Sequence, residues 1–287
     1  MWAIYKKELA SNYHSMMGYF YTAFFQLIAG VFFLAFNLRG GMAEFGYVLG
    51  NTTVVLLVVI PVLTMRTLSE ERRQRTDQLL LTAPVKVSRI VLGKFLAVLT
   101  VFAVPLAVLM ACPLILSQYG AVPLAQSYSC FLAFLCMGGA CIAVGMFVSS
   151  LTESPIISAI VTFALLLVSY LMKGISSLIG TMALPSLIGF AVVILLVAGV
   201  LYLLSRNPWF AGAAAVLGEA ALGALFLLDS TRFEGSFPKF LNGFALFQRY
   251  YDFVDGSMDL THLVYYLSAA ALLLFFTVQS VEKRRWN

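Results

Sequence analysis

Apolar residues fill this chain in long runs separated by short polar breaks. Eight runs stand out, at roughly 18–37, 47–65, 90–116, 127–150, 156–172, 183–204, 209–228 and 262–281. Each is close to the ~20 residues a helix needs to cross a bilayer. Lipid offers no partner to free backbone groups, so each run predicts a helix. The third and fourth are long enough to tilt or to extend past the hydrocarbon, and Pro105 and Pro113 predict a kink or break in the third. The sixth and seventh are joined only by Arg206-Asn207-Pro208, so 183–228 reads as two full spans or as a re-entrant hairpin. The expected fold is an all-α polytopic membrane protein, about eight transmembrane helices forming one domain over 1–287.

Two segments outside the runs carry a pattern of their own. Trp2, Tyr5, Leu9, Tyr13 and Met16 recur at helical spacing, with Lys6, Lys7 and Asn12 elsewhere on the circumference. This predicts an amphipathic helix over 1–17 lying at the membrane interface, the alternative being an extension of the first span. No small-residue cleavage site follows the start, so the first apolar run is expected to stay as a membrane helix. In 229–261, the one long segment expected outside the cytoplasm, Phe240, Phe244, Phe247 and Tyr251 also keep helical spacing. They predict a helix at the interface or one capping the spans. Asp252, Asp255 and Asp259 follow in no EF-hand pattern, so turn and cap roles are expected.

Composition agrees with the runs: 61% of residues are hydrophobic, 11% are charged, and the mean hydropathy is +0.94. The formal charge of +5 does not point to nucleic acid, because its distribution about the membrane is the informative quantity. With eight spans, one side holds thirteen lysines and arginines and the other five, namely Arg39, Lys173, Arg232, Lys239 and Arg249. Both termini are therefore expected in the cytoplasm. Cys112, Cys130, Cys136 and Cys141 all lie in apolar stretches without CxxC spacing, and the two histidines, His14 and His262, sit near opposite ends. No metal site and no cofactor is expected.

No Ser-His-Asp, Cys-His or paired-carboxylate arrangement presents itself, so enzymatic activity is not expected. Gly93-Lys94 is the obvious Gly-Lys pair, but Ser88 stands where a nucleotide-binding loop needs Gly, and Phe95 where it needs Ser or Thr. Energy for any work must come from a gradient or from a partner.

The densest charge lies between the second and third runs, over 66–88. Glu70 and Glu71 fall where a helix macrodipole favours anions, and Thr67 and Glu70 have capping-box spacing. Leu79, Leu80 and Leu81 follow, and Pro84 ends the element. The segment predicts a short cytoplasmic helix with an apolar patch. Arginines alone could hold a loop inside; the acids and leucines suggest a docking surface.

Three further features matter. Glu219 lies within the seventh run, on a small-residue face with Ala211, Ala215 and Gly223. An acid at that depth must face protein or water. It reads as a translocation or proton-linked carboxylate, or as a packing residue. Cys141, Gly145 and Ser149 form a second small-residue face that suits close helix packing. Glu153 reads as a turn residue.

Arg73-Gln74-Arg75-Thr76-Asp77-Gln78-Leu79-Leu80-Leu81-Thr82-Ala83-Pro84-Val85 resembles the coupling-helix segment of ABC-2 type permeases, especially the gliding-motility-type branch. Tyr5 to Tyr13, continuing through Ser15 to Tyr19, resembles the amphipathic entry helix of that branch, and Leu92-Gly93-Lys94-Phe95 the start of its third span. The likeness is strongest over about residues 1–170. Where the family often has Gly before the Thr this chain has Arg75, and where it often has Glu before the leucines this chain has Gln78. The family core has six spans, so 183–228 would be an extra pair.

The resemblance implies an exporter permease in a prokaryotic cell membrane. Its partners would be a cytosolic ATP-binding subunit, a second permease subunit, identical or not, and membrane lipid. Docking would fall to Glu70, Glu71, Arg72, Arg73, Arg75, Asp77, Gln78, Leu79, Leu80, Thr82 and Pro84. The alternatives are a proton-coupled secondary transporter using Glu219 and a non-transporting membrane anchor for an ATPase complex.

Overall fold

The computed structural model describes residues 1–75, 85–180, 182–205, 208–228 and 233–285, and among these no strand occurs. In chain order the helices are α1 (Trp2–His14), α2 (Met17–Phe33), α3 (Gly46–Thr64), α4 (Ser69–Arg73), α5 (Val87–Leu109), α6 (Ala111–Leu116) and α7 (Leu124–Leu151). There follow α8 (Pro155–Leu178), α9 (Ala183–Ser205), α10 (Pro208–Leu228), α11 (Ser236–Gly243), α12 (Gln248–Val254) and α13 (Leu260–Arg285). Among the described residues, six stretches are long and apolar enough to cross a membrane: Met17–Arg39, Gly46–Arg73, Val87–Leu116, Leu124–Leu151, Pro155–Leu178 and Leu260–Lys283. The chain forms a multi-pass membrane protein.

Element ends follow local chemistry. Met16 adopts a left-handed conformation, φ 59°, which separates α1 from α2 and makes the start a helix of its own rather than an extension of the first span. The last turns of the first span, Leu34–Arg39, are π-helical, and the buried Asn37 there donates to Met42 O at 2.7 Å. Pro113 cannot donate to Leu109 O, and the helix breaks at Met110 between α5 and α6.

The chain divides into two units, Met1–Val168 with Leu246–Asn287, and Ser169–Ala245. In the first, α7 is the central post, packed against α3, α5, α12 and α13. Helices in lipid gain little from hydrophobicity and associate through close contact of small residues. A methyl group at Gly138 would overlap the Phe102 ring, and one at Gly145 would overlap Thr64. The expected Cys141, Gly145, Ser149 face is thus wholly buried, and Gly145 and Ser149 serve contacts inside the chain. Phe25, Phe102, Phe134 and Tyr250 continue the core as an aromatic chain, with centroids 5.6–6.4 Å apart.

The short α12 plugs into this post. Phe247, Tyr250 and Phe253 are buried, and the Tyr250 and Tyr251 hydroxyls donate to Gly46 O and Gly50 O, each at 3.2 Å. The expected stripe from Phe240 to Tyr251 is not one helical face: Gly243 ends α11, a turn intervenes, and only Phe247 and Tyr251 belong to this unit. The acids take turn and cap roles. Asp252 pairs with His262 at 2.9 Å. Asp259 caps α13, its Oδ1 accepting from Thr261 N at 2.8 Å, and its hydrogen bonds with Thr261 hold the exposed carboxyl below the usual range. That contribution is present at neutral pH and is lost as pH falls through the lowered value.

In the second unit α9 and α10 pack as a hairpin, with Ile194 against Gly218. Phe190 collects Phe237 at 5.1 Å and Phe240 at 5.6 Å, which seats α11 on α9.

Gly145→Ala should destabilise the protein by about 1–3 kcal/mol through overpacking. Gly139→Ala, whose methyl would meet Leu99 at an ordinary 3.5 Å, should stay within about 0.5 kcal/mol of the parent. Reversible unfolding of both variants in detergent micelles checks the contrast.

Candidate functional site

The charged segment after α3 is built on a turn whose polar groups are satisfied from another helix. After Thr64 the chain turns through Met65–Leu68 into α4. The backbone N–H groups of Leu68 and Ser69 donate to Ser149 Oγ at 3.2 and 3.1 Å, and the Ser149 hydroxyl donates to Met65 O at 3.3 Å. Ser149 of α7 thus supplies the N-terminal cap that a helix start requires. The expected capping role of Thr67 is not realised, because its hydroxyl turns back to donate to Thr64 O at 2.8 Å. Ser69 likewise donates to Met65 O.

At the heart of the site lies Lys94, on the second turn of α5 and only 1% exposed. Its ammonium contacts Glu71 Oε1 at 2.8 Å, Glu8 Oε1 at 3.0 Å and Thr67 O at 2.8 Å. Three acceptors match the three N–H donors of an ammonium. The three carriers are the N-terminal helix, the α3–α4 segment and the third span. Burying a lone charge would cost several kcal/mol, so the two carboxylates are what permit Lys94 to sit there.

Supporting contacts bring α1 close enough. A methyl at Gly93 would press on Ile4 at 3.4 Å and Met1 O at 3.3 Å, and Tyr5 Oη lies 3.1 Å from Thr100 Oγ1. Of the expected apolar stripe on α1, Tyr5 therefore turns to α5, while Trp2 and Met16 stay exposed.

The other side of α4 is tied to the turn between α7 and α8. Arg72 pairs with Glu153 at 2.7 Å and donates to Leu151 O at 3.1 Å. Arg66 and Glu70 form a looser pair at 3.8 Å, half exposed and of little energetic weight. Arg73 and Arg75 are exposed. Arg75 adopts φ 57°, the left-handed conformation usual for glycine just past a helix end. This is the position where the coupling-segment resemblance has Gly.

Of the expected docking residues, Glu71 and Arg72 are thus engaged within the chain, Arg73 and Arg75 are exposed, and Glu70 is half-exposed, loosely paired with Arg66. Asp77, Gln78, Leu79, Leu80, Thr82 and Pro84 lie outside the described residues. Glu219 is elsewhere, on α10, with Oε1 buried and lacking a hydrogen-bond partner among the described residues. No cluster of metal-ligating side chains occurs among the described residues. Lys94 and Glu8 were not expected as site residues. One signal pointed to them: Lys94 interrupts an apolar run, and an ionisable residue there needs a partner.

Two predictions follow from this geometry. Lys94→Met removes the ammonium that Glu8 and Glu71 share and should destabilise the protein by about 3 kcal/mol or more. In a double-mutant cycle with Glu8→Gln the two losses should fall well short of additive, as read by unfolding in detergent. Arg75→Gly removes the left-handed strain and should stabilise by up to about 1 kcal/mol, whereas the β-branched Arg75→Val should destabilise, in the same assay.

The family model of ABC-2 family transporter proteins matches residues 10–205. The match takes in α4, Lys94 and Glu153 and stops before Glu219. No curated protein and no solved structure matches the chain. A match over well more than half of the chain, joined to six apolar helices of spanning length, means that this protein belongs to the ABC-2 family of membrane transporter proteins.

Proposed function

We propose that the chain is the permease subunit of an ATP-driven exporter, docking a cytosolic ATPase through 66–88. Permeases of this family generally work with a separate ATP-binding subunit, and nothing in this sequence supplies a nucleotide loop. The observation that carries the reading is the two-sided build of α4. Its inner side, Glu71 and Arg72, is bolted to α1, α5 and the α7–α8 turn. Its outer side presents Arg73 and Arg75, with Glu70 half-exposed at the edge. A push on the outer side is transmitted to three helices at once. Binding drives such a switch only if it favours one arrangement of the spans by a real free-energy difference.

The thirteen-to-five bias of basic residues supports a cytoplasmic place for this end and for both termini, in a prokaryotic cell membrane. Helices α9 and α10 have 23 and 21 residues, about 30 Å or more each, which supports two further full spans over a re-entrant hairpin. With them the count is eight. Helix α1 lies at the interface as the amphipathic elbow. A second permease subunit, identical or different, completes the pathway. The coupling segment reads as that of the gliding-motility-type branch.

Proton-coupled transport through Glu219 is the second reading, motivated by its buried, unpartnered oxygen. A membrane anchor for an ATPase complex is the third.

The double variant Glu70→Lys, Arg73→Glu should weaken capture of the cognate ATP-binding subunit by about tenfold, or ~1.4 kcal/mol, with the fold intact. Unchanged co-purification and unchanged ATP turnover in proteoliposomes would overturn the docking assignment. Flux driven by a proton gradient without ATP would favour Glu219, and no flux at all the anchor.

A further inference from the structure

Beside the lysine site, under α1, opens a cavity of ≈ 650 Å³, well within the size of small-ligand sites. Its lining changes chemistry from one end to the other. Lys7, Arg66, Glu70 and Gln74 line the charged end. Phe20, Phe24, Val58 and Val62 line the apolar end. Phe20 and Phe24 lie in the first turns of α2, and Val58 and Val62 in the last turns of α3. The change in lining therefore falls where both spans pass from polar flank to hydrocarbon. Phe20 is 67% and Val58 55% exposed, so the apolar end is open rather than sealed by protein.

The charges narrow the occupant. Lys94 is already held by Glu8, Glu71 and Thr67 O. The cations left to a ligand are Lys7, which has no ion pair among the described residues, and the loosely paired Arg66. Glu8 and Glu71 also line the cavity but are taken up by Lys94, so the acid standing beside the two cations is Glu70. A free anion would leave the apolar end unused. An acidic lipid or fatty acid that drew Arg66 to itself would offer nothing to Glu70. A headgroup carrying both a phosphate and an ammonium, on acyl chains, answers every part of the lining.

We infer that this cavity binds a zwitterionic phospholipid. Its phosphate lies against Lys7 and Arg66, its ammonium against Glu70, and its chains along Phe20, Phe24, Val58 and Val62. The inference takes from the functional reading only that α1 lies at the membrane surface. A lipid seated there touches α1 and α4 together.

The test uses the full chain purified without any ATP-binding subunit, so that failed docking cannot affect it. Native mass spectrometry after delipidation should find phosphatidylethanolamine retained. After exposure to vesicles of equal phosphatidylethanolamine and phosphatidylglycerol, the former should be enriched about tenfold. Val62→Trp, which fills the apolar end, and Lys7→Glu, which reverses the exposed cation, should each cut retention by about tenfold. Leu272→Trp, on the exposed apolar face of α13 outside the cavity, should keep it. Equal retention in all three variants means annular lipid only and overturns the site. A preference for phosphatidylglycerol, or binding of inorganic phosphate without lipid, overturns the zwitterion assignment. Should Val62→Trp fail to fold, the surface variant Lys7→Glu decides alone.

Discussion

A single buried cation organises one end of this protein. Lys94 interrupts the apolar stretch of α5, and Glu8 and Glu71 within hydrogen-bond reach are what hold its charge there. The requirement is structural in its consequences. Helix α1 must lie across α5, and the crossing is close: a methyl group at Gly93 would come within 3.3 Å of Met1 O. The α3–α4 turn must present Thr67 O inward, and α4 must begin where it does.

The second layer of constraint is steric. Around α7, Gly138 and Gly145 admit Phe102 and Thr64, and this brings α3 near enough for Ser149 to reach the backbone of Leu68 and Ser69. Helices without a hydrophobic incentive to associate depend on such fit. The polar root at the α4 end and the close-packed post are therefore one arrangement: the glycines set the spacing and the charges set the register. The cavity beneath α1 is the space left when an ion pair, rather than close packing, holds a surface helix to the spans.

Much of this was legible in the residues. The six stretches of spanning length fall within a few residues of runs read from hydropathy, because period and length are local properties. The Cys141, Gly145, Ser149 face was legible for the same reason. What was not legible depended on distant partners. Glu8, Glu71 and Lys94 are far apart in sequence, and no spacing rule joins them. The capping-box spacing of Thr67 and Glu70 misled, because a hydroxyl from α7 does the capping and frees Thr67 to bond to Thr64 O. The aromatic stripe from Phe240 to Tyr251 kept helical spacing across Gly243, where the helix ends. In the charged segment 66–88, the types of residue were readable but not which of them face inward: Glu71 and Arg72 look no different from Glu70 and Arg73 until Lys94 and Glu153 are beside them.

The cap on α4 has a consequence of another kind. Five residues cannot hold a helix in water unaided, and the group that completes this one belongs to a different transmembrane segment. The folded state of α4 is thus conditional on how far α3 stands from α7. If the two separate by even the reach of one hydroxyl, α4 loses its start. Thermodynamic linkage would make the dependence mutual: a soluble partner that gripped an ordered α4 would return that gain as a preference for the closed spacing of those two spans, and a molecule that wedged them apart would weaken the grip by the same factor.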